Sequence, residues 1–395
     1  MLQLHFDPEK GVWAEGEDAD RLRNNFFGHP EAGMVRLLPE EALYLLDLQN
    51  GVVGSGGKEI GFPELLSFYA KENPRLLIKY NAYRDWRDRG LIIRRAEEGV
   101  PEGHGKSHLK KYPSNPPTFP KLDVKACWEP GSFMAVIDDA KTGRMLFDEF
   151  WIGQMGVYKQ ERGKILKLNF LETIFLSKHF RLTVEDATTG KKIDHRKIMD
   201  QVSNRREFAR TMYQAYEEWR LRGYVVKTGF KFGTHFRIYF PGASPVSKEG
   251  EWIHSKHVLH IFPKEEKLLI SEWARAVRVA HGVKKTFILG ISRLSADDYV
   301  DYPAEFLAFR RKKKGNDWVR ETPKDGPRYL LAAVSEDEHI GGVELASLLK
   351  KAEGMDLNLL LSITDRETAI TYYALNKIKL KDSEYDYYEI EWFKP

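Results

Sequence analysis

The feature that most narrows what this chain can fold into is a repeat. Residues 80–90 read YNAYRDWRDRG and residues 213–223 read YQAYEEWRLRG, so Tyr80, Tyr83, Trp86, Arg89 and Gly90 recur as Tyr213, Tyr216, Trp219, Arg222 and Gly223. Repetition over so long an interval means that one structural unit occurs twice. In each copy, aromatics at helical spacing run into a glycine, the pattern of a buried helical stripe closed by a left-handed turn. Upstream, EALYLL at 41–46 answers ETIFLS at 172–177, and the turn DPEKG at 7–11 answers DAKTG at 139–143. The copies then cover most of 1–96 and 132–227.

Between the copies, residues 97–121 are rich in Gly, Pro, Ser and Lys without apolar periodicity. This predicts an extended linker that joins two units without packing. The copies also differ in length: Gly28 and Leu37 are nine positions apart, Gly156 and Leu168 twelve. The longer version, VYKQERGKILK at 157–167, predicts a basic surface loop in which Lys159, Arg162 and Lys164 can reach phosphates.

A fainter duplication links 224–292 with 293–395. WARAVRVAHGVKKTFILGIS at 273–292 is echoed by LASLLKKAEGMDLNLLLSIT at 345–364, each reading as an amphipathic helix followed by a buried strand. Extended backwards, FRIY at 236–239 meets FLAF at 306–309, and HVLHIF at 257–262 meets YLLAAV at 329–334. The expected fold is α+β: several small mixed modules, duplicated. Their bounds are 1–96, the linker 97–121, 122–223, 224–292, and a degenerate copy of the last at 293–395.

Composition restricts the setting. A chain of 395 residues suggests two to four packed units. With 62 basic against 58 acidic residues, any nucleic-acid contact must come from locally clustered charge. The single cysteine, Cys127, leaves no intrachain disulfide framework and no cysteine-only zinc site, as suits a reducing cytoplasmic interior. The opening MLQLHFDPEKG has charge within ten residues and no apolar h-region, and no run reaches the ~20 apolar residues of a membrane span, so neither secretion nor a membrane is expected.

Three places carry possible chemistry. In HFRIYF, strand alternation sets Tyr239 on the polar face beside Arg237, although a strand tyrosine near a turn is also an ordinary packing residue. His254, His257 and His260 invite a metal reading, but a spacing of three in a strand sends neighbours to opposite faces and prevents convergence on one ion. His254 opens the strand, where an imidazole titrates near neutrality; the other two run along the sheet. Arg278 and Lys285 lie two helical turns apart and would share an electropositive flank if the helix runs that far.

GYVVKTGFKFGTHFRIY, then HSKHVLHIFP, then RVAHGVKKTFILGI resembles the signature of archaeal-type tRNA-splicing endonucleases, with three ordered motifs at fitting spacings. The first copy resembles the family's N-terminal unit, the middle a complete catalytic subunit, and the tail a structural subunit's C-terminal half. The whole is similar to fused three-unit forms that pair as homodimers. The resemblance implies that Tyr239, His254 and Lys285 are the catalytic triad, acting without a metal or other cofactor on precursor tRNA at a bulge-helix-bulge. It implies Tyr239 as base, His254 as acid and Lys285 as electrostatic stabiliser, leaving a 2',3'-cyclic phosphate and a 5'-hydroxyl. A phenol with an ordinary pKa of about 10 needs help to act as base at neutral pH. The resemblance also implies that Arg278 clamps a bulge base and that the acidic loop of Glu336, Asp337 and Glu338 docks into a partner chain. The tail copy offers Phe309, Gly326 and Leu357 at the triad positions and is expected to be a scaffold. The rival reading makes the whole chain a non-catalytic RNA-binding scaffold.

Overall fold

A computed structural model describes residues 1–100, 109–156, 163–245, 253–264 and 266–395 as a mixed α/β protein. The duplication appears directly as topology. One six-stranded sheet runs His29–Glu31, Met34–Leu37, Gly11–Ala14, Leu2–Asp7, Gly51–Ser55 and Lys58–Ile60 across its width. A second runs Gln154–Met155, Leu166–Asn169, Met134–Ile137, Lys125–Glu129, Thr183–Asp186 and Lys192–Ile193, the same order. The repeated aromatic stripes lie on the helices Leu76–Asp88 and Ala209–Leu221, where Trp86 and Trp219 are fully buried. They are core residues, each worth about 2–3 kcal/mol in removed apolar surface.

Two details of the repeat differ from the sequence reading. Asp7–Gly11 is a hairpin turn in which Asp7 accepts from the amides of Glu9 and Lys10. DAKTG is instead the start of the helix Ala140–Phe150, where Asp139 caps the amide of Thr142 at 2.7 Å. The two stretches look alike because both place an Asp carboxylate over orphan amides, in a turn and in an N-cap. The true counterpart of the first turn follows Lys125–Glu129, where Glu129 accepts from Gly131 and Ser132, so the second copy starts earlier than 132. The linker reading also changes. Lys110–Lys111 pairs with Ile370–Lys379, and Tyr112 enters the core with its hydroxyl 2.6 Å from the buried Glu389. Lys110 pairs with the same carboxylate, because a buried anion is tolerable only when partnered.

One large sheet organises the rest. Its strands are, in order, Val225–Thr228, Phe236–Tyr239, His257–Phe262, Thr286–Ser292, Tyr385–Phe393, Ile370–Lys379, Asn358–Thr364, Tyr329–Ser335, Phe306–Ala308 and Ile93–Arg95. The order is symmetric about the central antiparallel pair. The first copy therefore docks its last strand on the tail copy, as the second docks its own on the middle module. The helices Ile270–Gly282 and Gly342–Gly354 share a core on one face of this sheet. Short strands Lys267–Leu269 and His339–Gly341 pair with each other beside them.

Two predictions follow from this packing. Tyr112→Phe removes a donor from a buried carboxylate and should lower the urea midpoint by about 1–2 kcal/mol of stability; an unchanged midpoint would mean the segment is not docked. The stacked rings of His235 and His260, centroids 4.3 Å apart, are held by burial down to about 4 and about 3 respectively. Below an unfolded-state value near 6.5 the unfolded chain takes protons that the fold refuses. Stability should therefore fall as pH drops from 6.5 toward 4, by up to about 1.4 kcal/mol per pH unit for each neutral ring. Denaturant midpoints across that range test it, and His260→Phe should flatten the fall.

Candidate active site

Strand register brings the chemistry to one end of the large sheet. Phe236–Tyr239 runs antiparallel to His257–Phe262, which runs parallel to Thr286–Ser292. Tyr239 thus ends its strand beside the entry of the next, just after His254, while Lys285 immediately precedes the third. The amide of Thr286 donates to the Lys256 carbonyl at 2.8 Å, which ties the last two together.

Tyr239 is buried at 4% exposure, its ring 4.5 Å from that of Trp151. It borders a cleft of about 190 Å³ whose walls include Trp151, Lys227, Arg237 and His254. His254 is exposed on the rim. Lys285 is half-buried: its Nζ donates to the Ser255 carbonyl and, at 3.1 Å, to the Ser255 hydroxyl, with the Phe232 ring at 4.9 Å. Burial, then the charge of Arg237, holds its pKa below the ordinary lysine range. Tyr239 and His254 therefore share a cleft, and Lys285 is anchored on the residue after His254. At the floor, Lys227 donates to Glu172 at 2.9 Å and to the Gly153 carbonyl at 2.8 Å, with burial pressing its pKa down.

The other sequence candidates lie elsewhere. The helix stops at Gly282, and Lys284 adopts φ 55°, so Arg278 and Lys285 are not on one helical flank as expected. The left-handed residue turns the chain out of the helix into the strand. Arg278 is exposed, near Tyr373, whose pKa burial raises against the opposing charge of Arg278, and it does not line the cleft. Lys164 is exposed; Lys159 and Arg162 lie outside the described residues. Glu336 accepts from the Arg366 amide, Asp337 pairs with the Arg366 guanidinium at 2.6 Å, and Glu338 pairs with Arg75 at 3.1 Å, all within the chain. His257 packs on Phe240 while His260 packs on His235, on opposite faces as the spacing of three requires.

Sequence reasoning missed Trp151. It sits at φ 46° between a helix and Gly153, whose amide donates to Glu172 as the Gly28 amide donates to Glu41. Gly153, not Gly156, is thus the counterpart of Gly28, and the lengthened loop spans fifteen positions to Leu168 rather than twelve. The shared pattern, two bulky apolar residues before a glycine in NFFG and FWIG, was the available signal.

The tail copy reproduces the backbone of the site. Phe309 donates its amide to Ile92, extending the strand as Tyr239 extends its own. Leu357 donates to Ala352 at 2.9 Å as Lys285 does to Ala280 at 2.9 Å, and Asp356 copies the turn of Lys284 with φ 54°. At these positions the side chains differ while the backbone bonds and turns correspond.

Comparison with known proteins identifies the relatives of this chain. The family model for the tRNA intron endonuclease catalytic C-terminal domain matches residues 209–302. A tRNA-splicing endonuclease of Thermococcus kodakarensis is 33% identical over 159 residues, 39% of this chain and 88% of that protein. One from Methanosarcina barkeri is 24% identical over 340 residues, covering 73% of this chain and 96% of the relative. One from Natronomonas pharaonis is 27% identical over 315 residues, with 67% and 88% covered. With the match to a catalytic domain spanning Tyr239, His254 and Lys285, the chain belongs to the tRNA-splicing endonuclease family.

Proposed function

We propose that the chain cuts precursor tRNA at bulge-helix-bulge junctions by metal-free attack of a 2'-hydroxyl. The observation that carries this reading is the meeting of Tyr239 and His254 in one cleft, with Lys285 held against the neighbouring Ser255. RNA cleavage by this route needs a base, an acid and positive charge. Tyr239 takes the 2'-proton as the nucleophilic oxygen bonds to phosphorus. His254 protonates the departing 5'-oxygen as the old P–O bond breaks, giving a 2',3'-cyclic phosphate and a 5'-hydroxyl. Lys285 steadies the extra negative charge of the phosphorane-like transition state. Arg237, in the same cleft, adds positive charge beside the phenol, whereas Lys227 is already paired with Glu172.

In this proposal residues 1–96 act as an N-terminal-type structural unit, 122–223 and 224–292 form the catalytic unit, and 293–395 are a silent copy. One competent site per chain makes one cut, so two cuts need a homodimer. Glu336 and Asp337, on a surface turn, are the residues we assign to its interface. Glu338 is already committed to Arg75. We assign Arg278 to the bulge base, and Lys164 with its basic loop to the flanking phosphates. The setting is cytoplasmic; among the described residues no helix is long and apolar enough to cross a membrane.

End-labelled bulge-helix-bulge RNA in excess EDTA should be cut twice, leaving cyclic phosphates, and Lys285→Ala should slow cleavage by about 100-fold or more. Binding without cutting would favour the scaffold reading, and loss of activity in EDTA would sink the metal-free route. Reversing charge at Glu336 and Asp337 should halve the mass seen by light scattering at dilute concentration; an unchanged mass refutes the interface.

A further inference from the structure

We propose that the hairpin formed by Arg311–Lys314 and Asp317–Arg320, with the arginine-lined pocket beside it, is a second RNA-docking site that grips backbone phosphates and one unstacked base. The inference rests on precursor RNA being the substrate, and it concerns the silent copy rather than the Tyr239 cleft.

Position is the first reason. The hairpin occupies the interval between Phe309 and Gly326, the one that separates Tyr239 from His254 in the competent copy. Phe26, at φ 59°, stands in the first copy where Trp151 stands in the second, and Arg320 lies 5.7 Å from its ring. The silent copy therefore carries a basic ribbon at the rim of its lost site.

Charge is the second. Residues 310–320 hold six basic side chains against one acid, Asp317, in a chain whose net charge is only +4. Several of these cations have structural work: Arg310 packs over Phe393 at 4.5 Å and Lys312 pairs with Asp325. The hairpin base is pinned by the fully buried Glu321, which pairs with Arg328 at 2.7 Å and accepts from the Arg310 amide. The ribbon is thus a built, anchored element.

Register sorts what is left. Arg311 lies opposite Arg320 and Lys313 opposite Trp318, so all four share one face of the ribbon. Trp318 is 67% exposed, far more than packing would leave an indole. An open aromatic face among cations is the surface on which an unpaired base stacks while the backbone is held.

The pocket is the third. Its volume is about 200 Å³ and Arg21, Arg87 and Arg320 line it. Arg87 is only 9% exposed; Nη2 donates to the Asn25 carbonyl, while Nη1 has no hydrogen-bond partner and is buried. A buried guanidinium donor without an acceptor calls for an anion, and a phosphate oxygen satisfies it. At the matching place in the second copy, beside Arg220, the chain's own Asn115, Pro117 and Phe119 take part in the wall. There the Asn115 amide caps the Arg222 carbonyl; here the Arg311 guanidinium caps Arg89. The first copy offers basic groups where the second is walled by its own chain.

The test is binding of full-length precursor tRNA by fluorescence anisotropy over a salt series, using Trp318→Ala and the double variant Lys313→Gln/Arg320→Gln. Trp318→Ala should weaken binding about 5- to 100-fold, with Trp318→Phe restoring most of it. The double variant should reduce the slope of log affinity against log salt by about 1.4–1.8. Single-turnover cleavage at saturating RNA should be unaffected in both, with unchanged melting as the check on folding. Unchanged affinity and slope in both variants would overturn the site, whether or not the enzyme cuts. A drop in dimer mass with RNA affinity intact would also overturn it, assigning the ribbon to a second copy of the chain. Failure of the wild-type chain to cut bulged RNA would instead overturn the substrate reading, and the anisotropy result would be judged by itself.

Discussion

The fold depends on one pair of strands. Tyr385–Phe393 bonds on one side to Thr286–Ser292 and on the other to Ile370–Lys379, so the middle module and the tail copy become halves of a single sheet. The backbone polar groups of such a junction must all be paired, because burying them unpaired costs about 1–3 kcal/mol each. The register of this pair therefore fixes where every outer strand lies, including the two that carry Tyr239 and Phe309 at opposite flanks. Glu389, on the same strand, draws the segment around Tyr112 onto the sheet and so tethers the connection between the repeats.

Pseudo-symmetry then explains the interleaved order of the chain. The first copy of the small sheet has no partner module next to it in sequence; its last strand, Ile93–Arg95, pairs with Phe306–Ala308. The second copy meets its partner directly, through Val225–Thr228 and Phe236–Tyr239. In both places a basic side chain reaches back to the same glycine carbonyl, Arg94 to Gly28 at 3.1 Å and Lys227 to Gly153 at 2.8 Å. Two equivalent junctions thus keep a cation at the same place, a guanidinium in one and an ammonium in the other, and the second borders the cleft of Tyr239 and His254.

Much of this was legible. Identities such as Tyr80 with Tyr213 and Trp86 with Trp219 mark buried contacts that survive divergence, and the correspondence of 273–292 with 345–364 proved to be helix on helix and strand on strand. The failures have a common physical origin. Asp7 and Asp139 both cap backbone amides, and a capping residue does not reveal whether a helix or a turn follows it. The docking of Tyr112 on Glu389 joins residues 277 positions apart, and no local pattern encodes such a partner. Trp151 reaches Tyr239 only because it adopts a left-handed conformation that composition does not signal.

The two copies also differ in how they fill equivalent positions. Lys285 is half-buried, and burial holds the pKa of its ammonium below the ordinary lysine range. Leu357 at the same place is 2% exposed and packs in the shared core, so the tail copy buries apolar surface where the middle module places an ammonium. Phe309 keeps a buried ring in Tyr239's place without a hydroxyl to satisfy, and Gly326, at φ 74°, gives the chain a turn where His254 stands. Each of the three positions therefore carries a less polar residue in the tail copy.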